Sequence, residues 1–306
     1  MRVSYSRGYS VPLPATHVFP MTKYESLYAI LLAEGLVRVE DVVEPGEAAW
    51  EDLALVHDAE YLDKLGAGRL SASEVRRLGL PWSPALLRRA RLAVSGTLNA
   101  ARMALEDGIA ANLAGGTHHA FADHGEGFCL LNDVAITIRV LQRERRIERA
   151  LIVDLDVHQG NGTASIFTGD KSVYTFSMHG AKNFPFRKVA SDRDVNVPDK
   201  AGDTEYLEPL DHHLPEVIEE SSPDIAFYLA GVDPVEGDRF GRLALTRTGL
   251  HERDRTVLRA MHERGIPLTL VLSGGYAATA ELTADLHATV HREARRIYGV
   301  PTARRA

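Results

Sequence analysis

The sequence predicts an α/β fold, a parallel sheet with helices packed on both faces. Two observations carry that prediction. Short apolar runs alternate with longer segments of helical periodicity along the 306 residues, as βα units do when they wind around a parallel sheet. Polar clusters follow directly on four of those runs, and sheets of this kind hold ligands outside the carboxyl ends of their strands.

Taken in chain order, candidate strands lie at 53–56, 109–114, 150–155, 172–177, 224–230 and 267–272. Each is a short, strand-like stretch dominated by apolar or β-branched and aromatic residues; 172–177 interleaves Val, Tyr and Phe with Ser and Thr. Amphipathic segments lie near 24–34, 85–106, 131–145, 204–220, 248–264 and 279–298. No repeat, low-complexity tract or Ser/Gly linker separates them, so residues 1–306 read as one domain. The clusters are Gly115-Gly116-Thr117-His118-His119 after the second run, Asp154-Leu155-Asp156-Val157-His158 at the end of the third, Gly231-Val232-Asp233-Pro234 after the fifth, and Ser273-Gly274-Gly275-Tyr276 after the sixth.

Composition narrows the function classes. Hydrophobic residues make up 45% and charged residues 25%, an ordinary soluble balance. A net charge of −7 argues against direct nucleic-acid binding. The one cysteine, Cys129, excludes a disulfide framework and a Cys-rich zinc site. With no apolar leader and no membrane-length apolar run, the expected location is the cytoplasm. Arg295, Arg296, Arg304 and Arg305 read as a solvated helix end and a frayed tail. Oligomeric state leaves no trace in the sequence.

Strand side chains alternate faces, so Asp154, Asp156 and His158 point the same way if the extended geometry continues through them. Two carboxylates and an imidazole cannot be buried without a partner, since desolvating them unpaired costs several kcal/mol. Asp156, His158 and Asp233 together suit a divalent cation: zinc, iron(II), manganese or cobalt. Three protein ligands leave positions open for water and substrate, as catalytic sites do. A metal-free Asp/His hydrogen-bond network is the bland alternative. A magnesium phosphoryl-transfer site is a weaker one, because no Gly-Lys-Ser/Thr phosphate loop accompanies the carboxylates. His118 and His119 offer imidazoles that titrate near neutrality, suited to moving a proton from water to a leaving amine. Asp154 fits an orienting partner for a histidine. Tyr276, beyond two glycines, can aim a phenol at a developing oxyanion.

With these residues assembled, the chain resembles the histone deacetylase family of the arginase–deacetylase superfamily. The clusters above carry the resemblance, together with Phe19-Pro20-Met21-Thr22-Lys23-Tyr24 and Gly127-Phe128-Cys129-Leu130-Leu131-Asn132-Asp133. Class IV members and their bacterial relatives are the most similar. The resemblance implies a three-layer α/β/α domain around a mostly parallel sheet of about eight strands. It implies zinc on Asp156, His158 and Asp233, His119 as general base and acid, His118 as its partner, Asp154 hydrogen-bonded to His118, and Tyr276 polarising an amide carbonyl. Gly127 and Phe128 would form one wall of an acyl-lysine tunnel, with Phe184 or Phe186 on the facing wall. A structural potassium ion would use Asp154 and Ser177. Asn161 stands where many members pair the second histidine with an aspartate; an amide stabilises imidazolium less, so His119 is expected to be less basic. The loop aspartate that grips a peptide substrate in many members has no evident counterpart in residues 66–83. The implied activity is metal-dependent removal of acetyl or longer acyl groups from lysine or another amine. The alternatives are an acetylpolyamine amidohydrolase, a catalytically silent acyl-lysine-binding protein, and an arginase-like ureohydrolase, which would need a second set of metal ligands.

Overall fold

A computed structural model describes residues 1–14 and 16–299. Its strands are β1 (Val3–Ser4), β2 (Val42–Val43), β3 (Ile109–Asn112), β4 (Ala150–Asp154), β5 (Val173–Gly180), β6 (Arg193–Val197), β7 (Ile225–Leu229) and β8 (Leu268–Val271). Its helices are α1 (Lys23–Ala33), α2 (Trp50–Leu53), α3 (Ala59–Ala67), α4 (Ala72–Leu78), α5 (Pro84–Asp107), α6 (Asp133–Arg143), α7 (Asn161–Ile166), α8 (Asp203–Ser221), α9 (Arg247–Glu263) and α10 (Ala280–Tyr298). The strands form one eight-stranded sheet in the order β2-β1-β3-β8-β7-β4-β5-β6, and every registered pair is parallel. Among the described residues no helix is long and apolar enough to cross a membrane.

The period of two along the strands sorts their side chains into two cores. In β4, Leu151 and Val153 join one core, which is completed by α1, α8, α9 and α10 through residues such as Leu27, Leu210, Leu258 and Ala288. Ala150 and Ile152 join the other, completed by α3, α5 and α6 through Leu65, Val94 and Ile138. β7 divides likewise, Tyr228 to the first face and Phe227 to the second. Three layers, α/β/α, follow from that alternation. The helix ends are set locally. Ser83 caps α5 by accepting from the Leu86 N–H, Pro84 occupies its first turn, and Gly108 ends it in the left-handed region.

Residues 53–56 are not a strand. Leu53 closes α2, and the N–H groups of Leu55, Val56 and His57 donate back to the carbonyls of Asp52 and Leu53. Four consecutive apolar residues carry no period, and Glu51 and Asp52 sit in a first helical turn, where the dipole favours acids. Three strands had no apolar run to announce them. β1 and β2 have two residues each, and β6 is Arg-Asp-Val-Asn-Val at a sheet edge. Arg295 and Arg296 end α10, where Arg295 donates to the Gly35 carbonyl and Arg296 pairs with Glu293. Arg304 and Arg305 lie outside the described residues.

The four strands that precede the polar clusters, β3, β8, β7 and β4, are adjacent in the sheet. Their carboxyl ends therefore open on one crevice. Behind it, His57 ties the 120–132 segment down. Its Nε2 accepts the Asn132 N–H (3.0 Å), and Nδ1 faces the Ala122 carbonyl (3.3 Å). The ring is therefore neutral, and burial pushes its pKa down to about 4 from an ordinary value of 6.5. Between those values the unfolded chain binds the extra proton, so the stability His57 contributes is complete above pH 6.5 and is lost as pH falls. Comparing wild type with His57→Gln by denaturant unfolding, we expect the stability gap to shrink by up to about 1.4 kcal/mol per pH unit below 6.5. A gap independent of pH would refute this.

Candidate active site

β4 stops at Asp154, so strand alternation does not carry the next two polar residues; their own carboxylates do. Asp154 Oδ1 accepts the Asp156 N–H (3.2 Å), and Asp156 Oδ1 accepts the His158 N–H (2.9 Å). Two successive turns of this kind, each closed by an aspartate onto the backbone two residues on, bring Asp156 and His158 over the end of β7. There Asp233 Oδ1 accepts the Val157 N–H (2.9 Å). From β8, the Ser273 hydroxyl (2.7 Å) and the Gly274 N–H (2.6 Å) both donate to Asp156 Oδ2. Ser273 adopts a positive φ of 59° to do so.

One oxygen in this cluster has nothing to accept. Asp233 Oδ2 is buried without a hydrogen bond, although His158 Nδ1 lies 3.2 Å away. Burial and the neighbouring Asp156 raise the Asp233 pKa to about 7. Burial acts the same way on Asp156, but the His118 and His158 imidazoles overcome it and hold that carboxyl well below its usual range. Burial lowers the His158 pKa, yet Asp156 and Asp233 more than reverse this and bring it to about 10. The ligand atoms of Asp156, His158 and Asp233 all lie within 4.8 Å of one another. Two carboxylates, one imidazole and an orphaned oxygen at that spacing fit a divalent cation. Among the described residues the other cluster of this type is His212, His213 and Glu216 on the surface. The Arg193 guanidinium already occupies His213 Nδ1 (3.0 Å) and Glu216 (2.8 Å), so that cluster does not fit a metal.

The two histidines lie beside the carboxylates with ring centroids 4.1 Å apart. His118 Nδ1 bonds Asp154 Oδ2 (2.6 Å), and His119 Nδ1 bonds Asn161 Oδ1 (2.7 Å). Burial depresses both, but Asp154 and Asp156 raise His118 to about 9. His119 has only the Asn161 amide, so burial and the charges of His118 and His158 keep its pKa well below 6.5.

Tyr276 is held at its backbone: its N–H donates to Asp238 Oδ2 (2.6 Å), and its carbonyl accepts from Arg239 (3.1 Å). Its ring packs edge-on against Phe240 (4.9 Å). Burial, with Asp156 and Asp233 nearby, keeps the phenol protonated far above pH 10. Asp238 was not among the residues expected from sequence. It also accepts the N–H groups of Phe240 and Gly241, and the Gly237-Asp238 pair just past Asp233 was the available signal, a turn signature.

Gly127 and Phe128 line an outer pocket, both at positive φ, and their N–H groups are tied to the Arg77 and Leu78 carbonyls. Phe184 meets the His119 ring edge-on at 4.9 Å. Phe186 is 89% exposed at the rim. Of the two phenylalanines left open by sequence, Phe184 is the one against the histidines. Residues 66–83 contain one acid, Glu74, and it is engaged by Ser71 and Lys64. Asp154 and Ser177 are register partners on β4 and β5, and the Ser177 hydroxyl bonds His179 Nδ1 (2.9 Å).

A family model described as the histone deacetylase domain matches residues 17–292. The chain belongs to the histone deacetylase family. An uncharacterised protein of Picosynechococcus sp. is 46% identical over 298 residues, covering 97% of this chain and 99% of that one. Histone deacetylase 2 of Arabidopsis thaliana is 33% identical over 296 residues, covering 92% of this chain and 76% of that one. A probable deacetylase of Methanothermobacter thermautotrophicus is 32% identical over 253 residues, covering 76% of this chain and 73% of that one. The fold matches the crystal structure of the HDA15 HD domain with a TM-score of 0.78 over 99% of this chain and 89% of that one, at 24% identity. The sheet described above is thus the arginase–deacetylase fold of this histone deacetylase family.

Close packing at Gly274 offers a test of the carboxylate cluster. A Cβ there would lie 2.0 Å from Asp233 Oδ2 and 2.6 Å from Asp156 Oδ2. Gly274→Ala should lower divalent-metal affinity by about 10- to 100-fold, the usual cost of disturbing the groups that orient ligands. Metal titration of the folded variant reads this directly, and an unchanged affinity would remove the cluster from consideration as a metal site.

Proposed function

We propose that the chain is a metal-dependent amidohydrolase that removes acyl groups from N-acylated amines, acyl-lysine among them. The orphaned Asp233 oxygen beside Asp156 and His158, with His118 Nε2 3.9 Å from Asp156, is the observation that carries the proposal. A divalent ion held by those three residues, zinc or iron(II) by donor type, supplies polarisation of the amide carbonyl and a water pKa lowered towards neutrality.

The chain's own groups do the rest. His119 is neutral at physiological pH, and its Nδ1–H donates to Asn161. Its Nε2 lone pair is therefore free to take a proton from water and return it to the leaving amine. His118, kept charged by Asp154, stabilises the negative charge that develops as water adds to the carbonyl carbon. The Tyr276 phenol, a donor at any working pH, serves the oxyanion from the other side. Phe128 and Phe184 line the approach with apolar surface, which keeps competing water out. The products are a free amine and a carboxylate.

Between protein and small-molecule substrates, the mouth favours neither strongly. Glu74 is committed elsewhere, and Arg77, Lys182 and Arg242 line the outer pocket. No carboxylate from 66–83 is free to grip a peptide backbone, so a small acylated amine remains a full alternative. The complete set of proton-handling groups argues against a silent binding protein. Among the described residues one buried three-ligand cluster, with no second set of ligands beside it, argues against a two-metal ureohydrolase.

Two measurements test the proposal. Tyr276→Phe should lower kcat about tenfold or more, the cost of losing an oxyanion donor, and unchanged turnover in a folded variant would refute its role. Verified metal stripping should abolish hydrolysis across a panel of acyl-lysine peptides and acetylpolyamines, with activity restored by zinc or iron(II). Full activity in the stripped protein would end the mechanism.

A further inference from the structure

An inner chamber adjoins the outer pocket at His119, Gly127, Phe128, His158 and Tyr276, which line both. Its walls include Asp156, His158 and Tyr276 on the side of the site, and Leu86, Leu130 and Arg89 beyond them. Its free volume is about 50 Å³, room for roughly three to five water-sized groups at about 10–15 Å³ each.

Arg89 is the anomaly. It is 6% exposed, on α5, at the wall of this chamber. Its Nε donates to the Tyr9 carbonyl (2.8 Å) and its Nη2 to the Tyr24 hydroxyl (2.6 Å). Both acceptors are neutral, and among the described residues no carboxylate pairs with the guanidinium. The other deeply buried arginine, Arg253, shows what the fold normally provides: Asp254 at 2.7 Å and the Gly231 carbonyl at 2.6 Å. A buried charge without a counter-ion is costly, and Arg89 still has donors on Nη1 to offer. The guanidinium carbon lies 5.1 Å from the Tyr24 ring centroid and 5.7 Å from that of Phe19. A planar, oriented fork with spare donors is a carboxylate receptor.

We propose that the inner chamber is a carboxylate subsite centred on Arg89, and that the acyl group this enzyme removes ends in a second carboxylate, as succinyl and glutaryl groups do. This rests on the amidohydrolase reading above and names its substrate class. An acyl group whose carbonyl lies at the Asp156–His158–Asp233 cluster directs its tail into the chamber. The volume admits a chain of a few atoms and not a long fatty tail. Hydrolysis breaks the amide C–N bond and forms one C–O bond from water. The water's protons end on the amine and the new acid, so the products are the free amine and a dicarboxylate.

The test compares succinyl-, glutaryl-, butyryl- and acetyl-lysine peptides on the metal-replete enzyme, with Arg89→Met and Arg89→Lys beside wild type. Wild type should favour succinyl or glutaryl over butyryl at least tenfold in kcat/KM. Arg89→Met should lose at least tenfold on the acidic acyl groups, mainly through KM, while changing butyryl less than threefold, and Arg89→Lys should fall between. A wild type that prefers butyryl or acetyl overturns the proposal without harming the amidohydrolase reading, and leaves the chamber at most a passage for released product. Equal losses on all acyl groups in Arg89→Met overturn it too. If neither an acyl peptide nor an acetylpolyamine is cleaved, the amidohydrolase reading fails and calorimetry decides the subsite alone. Succinate must then bind metal-loaded wild type more tightly than butyrate, with the difference erased in Arg89→Met; equal binding of the two overturns the subsite.

Discussion

Everything at the crevice depends on keeping Asp156 and Asp233 side by side in a buried place. Two carboxylates so close repel each other, and removing them from water adds several kcal/mol. The fold offsets this with directed N–H and O–H donors, beside the His118 and His158 imidazoles. Val157 serves Asp233, and Ser273 with Gly274 serves Asp156. These donors come from the ends of β4 and β8, on either side of β7, so the site exists only when three adjacent strands are in register. The parallel topology is therefore a condition for the chemistry as well as for the core. Parallel strands deliver their carboxyl ends to one edge, and four clusters far apart in sequence meet there.

That dependence explains why so much was legible in the sequence. A buried parallel strand reads as a short stretch dominated by apolar or β-branched and aromatic residues, so β3, β4, β5, β7 and β8 declared themselves, and the polar residues just past four of them could be placed in one crevice. What escaped had no apolar signature. β6 is charged because it is an edge, β1 and β2 are too short to show a period, and 53–56 shows that a short apolar run fits helix and strand equally. Within the site, Asp154, Asp156, His158 and Asp233 could be named from strand ends alone. Asp238 and Arg89 could not. Asp238 acts through the backbone of Tyr276, and Arg89 projects from a helix whose periodicity says only that it is half-buried. The placement of Phe184 against His119 with Phe186 at the rim likewise needed the loop's path, which no spacing rule encodes.

The paired histidines show how one substitution in the partner divides two identical side chains. His118 and His119 are neighbours, both buried, and burial alone would leave both neutral. Asp154 gives His118 a full negative charge at 2.6 Å, and the ring keeps its proton to about pH 9. Asn161 gives His119 only a carbonyl dipole at 2.7 Å. That dipole fixes which nitrogen carries the hydrogen, but it does not stabilise the imidazolium enough to overcome burial and two cationic neighbours. The positive His118 thus helps keep His119 neutral, and each ring's state supports the other's. An amide at position 161 therefore does not weaken the pair. In the proposed reaction it assigns the roles, one ring to hold charge and one to accept a proton, which two carboxylate-paired imidazoles at this distance would have to settle by sharing.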